Sequence, residues 1–318
     1  MLSLQEVEAA APAVYAAMPP TAQYPWPLLA RRTGCEVWVK HENHTPIGAF
    51  KVRGGLVYLD RLKRDRPGLP GVVSATRGNH GQSIALAAGR AGVPAIIVVP
   101  LGNSVEKNAA MRAFGAELVE AGHDFDAARD VARALAEERG LLMVPSFHRD
   151  LVCGVATYAL EFFRSAPPLD TIYVPIGLGS GICGVIAMRD ALSPSTRVVG
   201  VVSTEAPAYA LSFAAGKVVP TNSADTMADG MAVRGPDAEA LEVILKGADR
   251  MVQVSDTEIA AAMRFYYEDT HQLAEGAGAA ALAALMQERE RMAGKRVGLV
   301  LSGGNIDRPL YLRLLGDG

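Results

Sequence analysis

The feature that most constrains the fold is an alternation. Short runs rich in Val and Ile alternate along the chain with longer Ala/Leu-rich runs of helical period. Repeated strand-then-helix order marks a parallel sheet covered by helices, because parallel neighbours need a long crossover between them. The predicted strands are EVWVKH (36–41), GVVSA (71–75), AIIVVP (95–100), AELVEA (116–121), TIYVPI (171–176), RVVGVVS (197–203) and RVGLVLS (296–302). The clearest helices cover 79–92, 124–140 and 276–290, each with a glycine near an end. Ser3 followed by Glu6 reads as a capping box for a short helix that stops before Pro19 and Pro20.

A chain of 318 residues is long enough for two domains. Three strand-helix steps fall within 53–148, which is expected to form a small domain, with 1–52 and 149–318 forming a large one. The expected class is α/β, with two open twisted parallel sheets. Ligands in such folds bind beyond the carboxyl ends of the strands, so the site is expected in the cleft between the domains. A net charge of -3 gives no overall electrostatic reason to seek nucleic acid or an anionic membrane, and the expected partner is a small molecule. Cys35, Cys153 and Cys183 have no paired spacing, which favours a reducing compartment. The N-terminus lacks the form of a secretory signal and no apolar run is long enough to cross a bilayer, so a cytoplasmic location is expected.

Four loops carry the chemistry. GLGSGICG (177–184) follows a strand and opens a helix, and its glycines let backbone N–H groups face a phosphate. Gly179, Gly181 and Gly184 also satisfy G-x-G-x-x-G, with Glu205 about twenty residues on, so a dinucleotide such as NAD is a competing ligand. SATRGNHGQS (74–83) is a second strand-to-helix turn, whose amides and Arg77 suit a carboxylate. SGGNID (302–307) offers the hydroxyl of Ser302. HTPIGAFKVRGG (44–55) sets Lys51 between an apolar shoulder and a basic, glycine-rich exit that includes Arg53. A phosphate cradle, a carboxylate cradle, a hydroxyl and an amine that condenses with an aldehyde together suit pyridoxal 5'-phosphate.

With these motifs in order, the chain resembles the fold type II pyridoxal phosphate enzymes (tryptophan synthase β-like), and among them the threonine/serine dehydratase and serine racemase family. HENHTPIGAFKVRGG resembles that family's lysine segment, TRGNHGQ its asparagine loop, PIGLGSGICG its phosphate loop, TMADGMAV (226–233) its ADG segment, LAEGAGAAALAAL (273–285) its helix start and LSGGN (301–305) its closing motif. The resemblance implies that the large domain binds the cofactor, with Lys51 as the amine that carries it. Phe50 is then beside the ring and Asn79 at the ring 3'-oxygen. Gly177, Leu178, Gly179, Ser180 and Gly181 hold the phosphate, and Ser302 faces the pyridine nitrogen. Thr76, Arg77, Gly78, Asn79 and His80 line the substrate carboxylate. The implied reaction is β-elimination from an L-β-hydroxy amino acid such as threonine or serine, or a bulkier phenylserine-type or 3-hydroxyaspartate substrate, giving a 2-oxo acid and ammonia. A homodimer is common in such enzymes.

The sequence departs from the family in places. Arg77 stands where serine is usual, and a guanidinium is a poor base, so racemisation is not expected; Arg77 instead suits a carboxylate or a β-substituent. Ala49 and Val155 replace polar residues and suggest a more apolar pocket wall. Val202 and Ala208 stand where carboxylates are usual, so no metal is expected. Only thirteen residues follow SGGN, so a C-terminal effector domain is not expected. HENH (41–44) is not H-E-x-x-H and is expected to be structural. Glu275 is expected to open a helix near the cofactor edge, and 288–296 to be a solvated helix end. Three other readings stay open: β-replacement or threonine-synthase-like chemistry, NAD-dependent oxidoreduction, and a non-catalytic amino-acid sensor.

Overall fold

In the computed structural model, residues 2–316 are described, and their strands fall in two sheets. The first contains β1 (Gln23–Pro25), β2 (Glu36–His41), β7 (Thr171–Pro175), β8 (Arg197–Ser203), β9 (Arg250–Val254) and β10 (Arg296–Leu301). The second contains β3 (Val72–Ala75), β4 (Ala95–Val99), β5 (Glu117–Glu120) and β6 (Leu142–Met143). Strand order is β1-β2-β10-β7-β8-β9 in the first and β5-β4-β3-β6 in the second. Every pair is parallel except β1 with β2.

The seven predicted strands appear within a residue of their expected bounds. They were legible because helices cover both faces, which demands continuous apolar runs; β4 and β7 are buried at every position. The strands that sequence reasoning missed are β1, β6 and β9. β1 is a three-residue edge ending in Pro25, β6 has two residues, and β9 is an edge carrying Arg250 and Gln253.

Caps fix the helices as expected. Ser3 and Glu6 form the capping box of Leu4–Tyr15, and Asp124 caps Phe125–Arg139 by accepting from the Ala127 amide at 2.9 Å. Two segments hold detail that the sequence did not show. The basic, glycine-rich stretch after Lys51 is a fifteen-residue helix, Lys51–Asp65, in which Arg53 is fully buried. Gly54 and Gly55 weaken the helical signal, yet they let this helix touch its neighbours. A Cβ on Gly154 of the helix Arg149–Ser165 would lie 2.1 Å from the Arg53 carbonyl oxygen, so the two backbones meet directly. The 288–296 segment is a largely exposed helix end, as expected, but Met292 is buried and Glu288 accepts from Tyr173 at 2.5 Å and from Arg250 Nε at 2.8 Å.

The topology places the loops. β2, β10 and β7 are adjacent at the middle of the six-stranded sheet. The Lys51 segment, Ser302 and the 177–181 loop follow their carboxyl ends, so they converge. The Thr76–Asn79 turn follows β3 of the other sheet and faces them. Among the described residues, no helix is long and apolar enough to cross a membrane.

Candidate active site

Lys51 is the first residue of its helix, partly buried, and its amine donates to Ser180 Oγ at 3.1 Å. The same nitrogen lies 4.7 Å from the Phe50 ring centroid. Burial pulls its pKa down to about 8, and the Glu275 carboxylate offsets part of that fall. A network of backbone bonds fixes the segment. The Phe50 amide donates to the Ser302 carbonyl at 3.0 Å, the Gly304 amide to the Gly48 carbonyl at 2.9 Å, and Ala49 bridges to Gly303. On the other side, Ser83 Oγ donates to the Lys51 carbonyl at 2.6 Å. Lys51 is therefore held by both sheet units at once.

Residues 177–181 lead from β7 into the helix Ser180–Leu192, whose N-cap, Gly179, has a φ of 101° and no side-chain cap. The first amide of this helix with a partner is that of Cys183, which donates to the Gly179 carbonyl at 3.0 Å. Among the described residues, the amides of 177–182 have no acceptor. Six free N–H groups at a helix start form a cradle for a dianion. Side chains are excluded from its floor: a Cβ on Gly177 would lie 2.3 Å from the Gly230 carbonyl oxygen. Tyr209 Oη, donating to the Leu178 carbonyl at 2.9 Å, and Tyr158 Oη, donating to the Gly181 carbonyl at 3.1 Å, hold the loop from behind.

A second cradle lies at the start of the helix Asn79–Ala91. Buried Thr76 accepts from the Gly78 amide at 3.0 Å and the Gly81 amide at 3.2 Å, while the amides of residues 77, 79 and 80 have no acceptor among the described residues. Arg77 is exposed beside it. His80 Nε2 is buried without a partner among the described residues, and burial, then the charge of Lys51, lowers the His80 pKa to about 3. His80 is therefore neutral at working pH. Asn79 Nδ2 donates to Glu275 Oε1 at 2.6 Å, and Asn79 Oδ1 accepts from Asn305 Nδ2 at 2.8 Å. Ser302 is buried, and its hydroxyl makes no hydrogen bond among the described residues.

These contacts bring Lys51, Phe50, Ser180, Ser302 and Asn79 into one region, while Arg77 makes no hydrogen bond or ion pair to them among the described residues. Glu275 opens the helix Gly276–Gln287 as expected. Lys107 was missed, although its place on the buried face of a helix, four residues before Met111, was a signal. Val155 packs against Gly54 in the helix crossing, which assigns it to the core instead of the pocket wall. HENH is structural: His41 accepts from Trp26 Nε1 at 3.0 Å, and Glu42 pairs with Arg53 at 2.7 Å.

A two-sheet α/β fold with one depressed lysine between two amide cradles defines an enzyme that holds an aldehyde-bearing phosphate cofactor beside a carboxylate substrate. A family model described as pyridoxal-phosphate dependent enzyme matches residues 15–303. The chain is 34% identical over 322 residues to an L-threonine ammonia-lyase of Thermotoga maritima, covering 100% of this chain and 79% of that one. It is 32% identical over 289 residues to an L-threo-3-hydroxyaspartate ammonia-lyase of Saccharomyces cerevisiae, covering 91% and 88%. The maize serine racemase structure superposes with a TM-score of 0.92 at 28% identity, covering 99% and 97%. The chain belongs to the pyridoxal-phosphate dependent enzyme family, and its fold is fold type II. The cofactor is pyridoxal phosphate, and the NAD reading of the glycine pattern is set aside; Glu205, which it required, is exposed beyond β8.

Proposed function

We propose that the protein is an ammonia-lyase that converts an L-3-hydroxy amino acid to a 2-oxo acid and ammonia. The observation that carries the reading is the placement of Lys51 between two sets of unpaired amides, one suited to a phosphate and one to a carboxylate. The amides of 177–182 would hold the cofactor phosphate, Phe50 would flank the ring, and Ser302 would present its free hydroxyl to the ring nitrogen. Thr76 and the amides of 77, 79 and 80 would bind the substrate carboxylate. When bound, the cofactor supplies an electron sink for the pair left at Cα. Lys51 Nζ takes the Cα proton, which requires the neutral amine and so favours pH above about 8. That pair then forms the Cα–Cβ double bond while the β-hydroxyl takes the proton held on Lys51 Nζ and leaves as water; the released enamine becomes an imine that water hydrolyses to ammonia and the 2-oxo acid. We also propose that 53–148 forms a small domain and 1–52 with 149–318 a large one, in line with the confinement of β3–β6 to residues 72–143.

The test is to load the purified protein with cofactor and assay ammonia and 2-oxo acid with L-threonine, L-serine, L-threo-3-hydroxyaspartate and L-phenylserine. Equal amounts of the two products from at least one substrate are expected. Turnover that requires a second, nucleophilic substrate would instead establish replacement chemistry.

Exposed Arg77 favours a second reading, an acidic β-substituent. Arg77→Ala is then expected to raise KM for 3-hydroxyaspartate by about 10- to 150-fold, the loss of one charge-assisted hydrogen bond, and to leave threonine unchanged. An equal rise for both would assign Arg77 to the α-carboxylate, and no change would leave it in solvent. The phosphate cradle has its own check. Gly177→Ala forces a Cβ against the Gly230 carbonyl, and overpacking of about 1–3 kcal/mol should weaken cofactor binding by about 5- to 150-fold in an equilibrium titration.

A further inference from the structure

Behind the amide of Asn79 lies a buried polar chain that spans both sheet units. Lys107, on the helix Val105–Ala113, crosses over Gly78, where a Cβ would lie 2.4 Å from Lys107 Cδ. Its amine is 2.5 Å from Asp229 Oδ2 and 3.4 Å from Glu275 Oε2, two carboxylates carried by the six-stranded-sheet unit. The other oxygen of Glu275 takes the Asn79 amide, and Asn305 Nδ2 completes the chain by bonding Asn79 Oδ1 and, at 2.7 Å, the Ile47 carbonyl. Both ends of the Asn79 amide are therefore fixed.

We propose that Lys107 is a positioning residue: it fixes the Glu275 carboxylate that orients the Asn79 side chain, so that docking of the four-stranded-sheet unit completes the cofactor-facing surface. This rests on the reading of Asn79 given above. The charged groups that face Glu275 are Lys107, Asp229 and Lys51; Asn79, Asn305 and Gly303 complete its surroundings. Burial raises the Glu275 pKa to about 7, Lys107 opposes that rise and Asp229 adds to it. Burial also disfavours the charge on Lys107, but Glu275 and Asp229 outweigh it and hold that amine above the ordinary lysine range. Without Lys107, Glu275 takes up its proton at higher pH. A neutral carboxyl can then donate where it had accepted, and the Asn79 amide loses its fixed orientation.

The experiment uses cofactor-loaded protein and two readouts against pH: the visible spectrum of the bound cofactor and kcat/KM with the best substrate. In Lys107→Met the acid limb that Glu275 sets near pH 7, separate from the Lys51 limb near 8, is expected to move up by one pH unit or more in the spectrum and in kcat/KM, with at least a tenfold loss at pH 7 that is partly regained at pH 9. Lys107→Arg should restore the wild-type limb. Adding Lys107→Met to Glu275→Gln should cause no further shift. An unmoved limb with equal loss at every pH, or effects that multiply in the double variant, would overturn the proposal. If Lys107→Met does not fold, Asp229→Asn carries the test. Removal of that like charge should move the limb down, and an unmoved limb would overturn the proposal equally. Absence of ammonia from every 3-hydroxy amino acid would refute the lyase reading alone, because the spectral titration reports the Lys107 linkage without turnover.

Discussion

A Lys51→Ala variant is expected to lose the visible absorption of the bound cofactor and to fall by at least about 10²- to 10⁴-fold in ammonia release, the scale of a lost proton-transfer group. Lys51 has two tasks here, anchoring the cofactor aldehyde and moving the Cα proton, so the larger end of that range is expected. The reason lies in the setting of its amine. Burial brings the pKa to about 8, so near that pH a large fraction of Lys51 is neutral and able to act. The wild-type rate should accordingly rise as pH passes upward through about 8, and the variant should lose that limb. Added small primary amines should restore part of the proton transfer, and most in the pH range where they are themselves neutral. Stability follows with a definite sign. The folded pKa lies below the ordinary lysine value of 10.5, so the unfolded chain binds more protons between about 8 and 10.5, and stability rises with pH across that window. Below pH 8 the cost of the buried ammonium is fully present. Cofactor-free Lys51→Ala should therefore melt at a higher temperature than cofactor-free wild type at pH 7. A variant that keeps both colour and turnover would remove Lys51 from the site.

What was legible in the sequence follows from how far apart the interacting residues are. The four loops could be found because each follows an apolar strand and carries its own local signal: glycines for a cradle, a small polar residue before a helix, or a lysine between apolar neighbours. Partners distant in sequence leave no such pattern. Lys107 and Glu275 are 168 positions apart, and Arg53 and Glu161 are 108 apart, yet each pair is joined in the fold. Arg53 illustrates the limit. Two glycines and a cation after Lys51 carry no sign of burial in the sequence, whereas in the fold the glycines let two backbones meet and the guanidinium closes a buried ionic cluster. The N-terminal amide cradles were half legible. Glycine and threonine announced turns, but only the structure shows which amides those turns leave without an acceptor.

That cluster carries the second large effect, on stability. Arg53 Nε and Nη2 hold Glu42 at 2.7 and 3.0 Å, while Nη1 and Nη2 hold Glu161 at 2.6 and 2.9 Å. Thr157 accepts the remaining N–H of Nη1 at 3.0 Å, Thr21 Oγ1 shares Nη2 at 3.2 Å, and Lys40 donates to Glu161 at 2.6 Å. Two cations and two carboxylates thus balance inside the protein, with Lys40, Glu42 and Arg53 fully buried. They tie β2, the turn that follows it, the Lys51 helix and the helix Arg149–Ser165 at one point. Burial tends to raise the Glu161 pKa, but Arg53 and Lys40 outweigh it and lower that value below the ordinary carboxylate range. Its stabilising contribution is therefore present above the unfolded pKa of 4.5 and is lost as pH falls through the folded value. Arg53→Met leaves Glu42 buried without its cation and is expected to cost about 3–5 kcal/mol. Trp26 and Trp38 flank this region, so denaturant unfolding followed by tryptophan fluorescence reads it. Adding Glu42→Gln should recover part of the loss, giving a coupling of about 0.5–3 kcal/mol in the double-mutant cycle. If Arg53→Met stays within about 1 kcal/mol of wild type, or if the two losses simply add, the cluster does not hold the Lys51 helix in place.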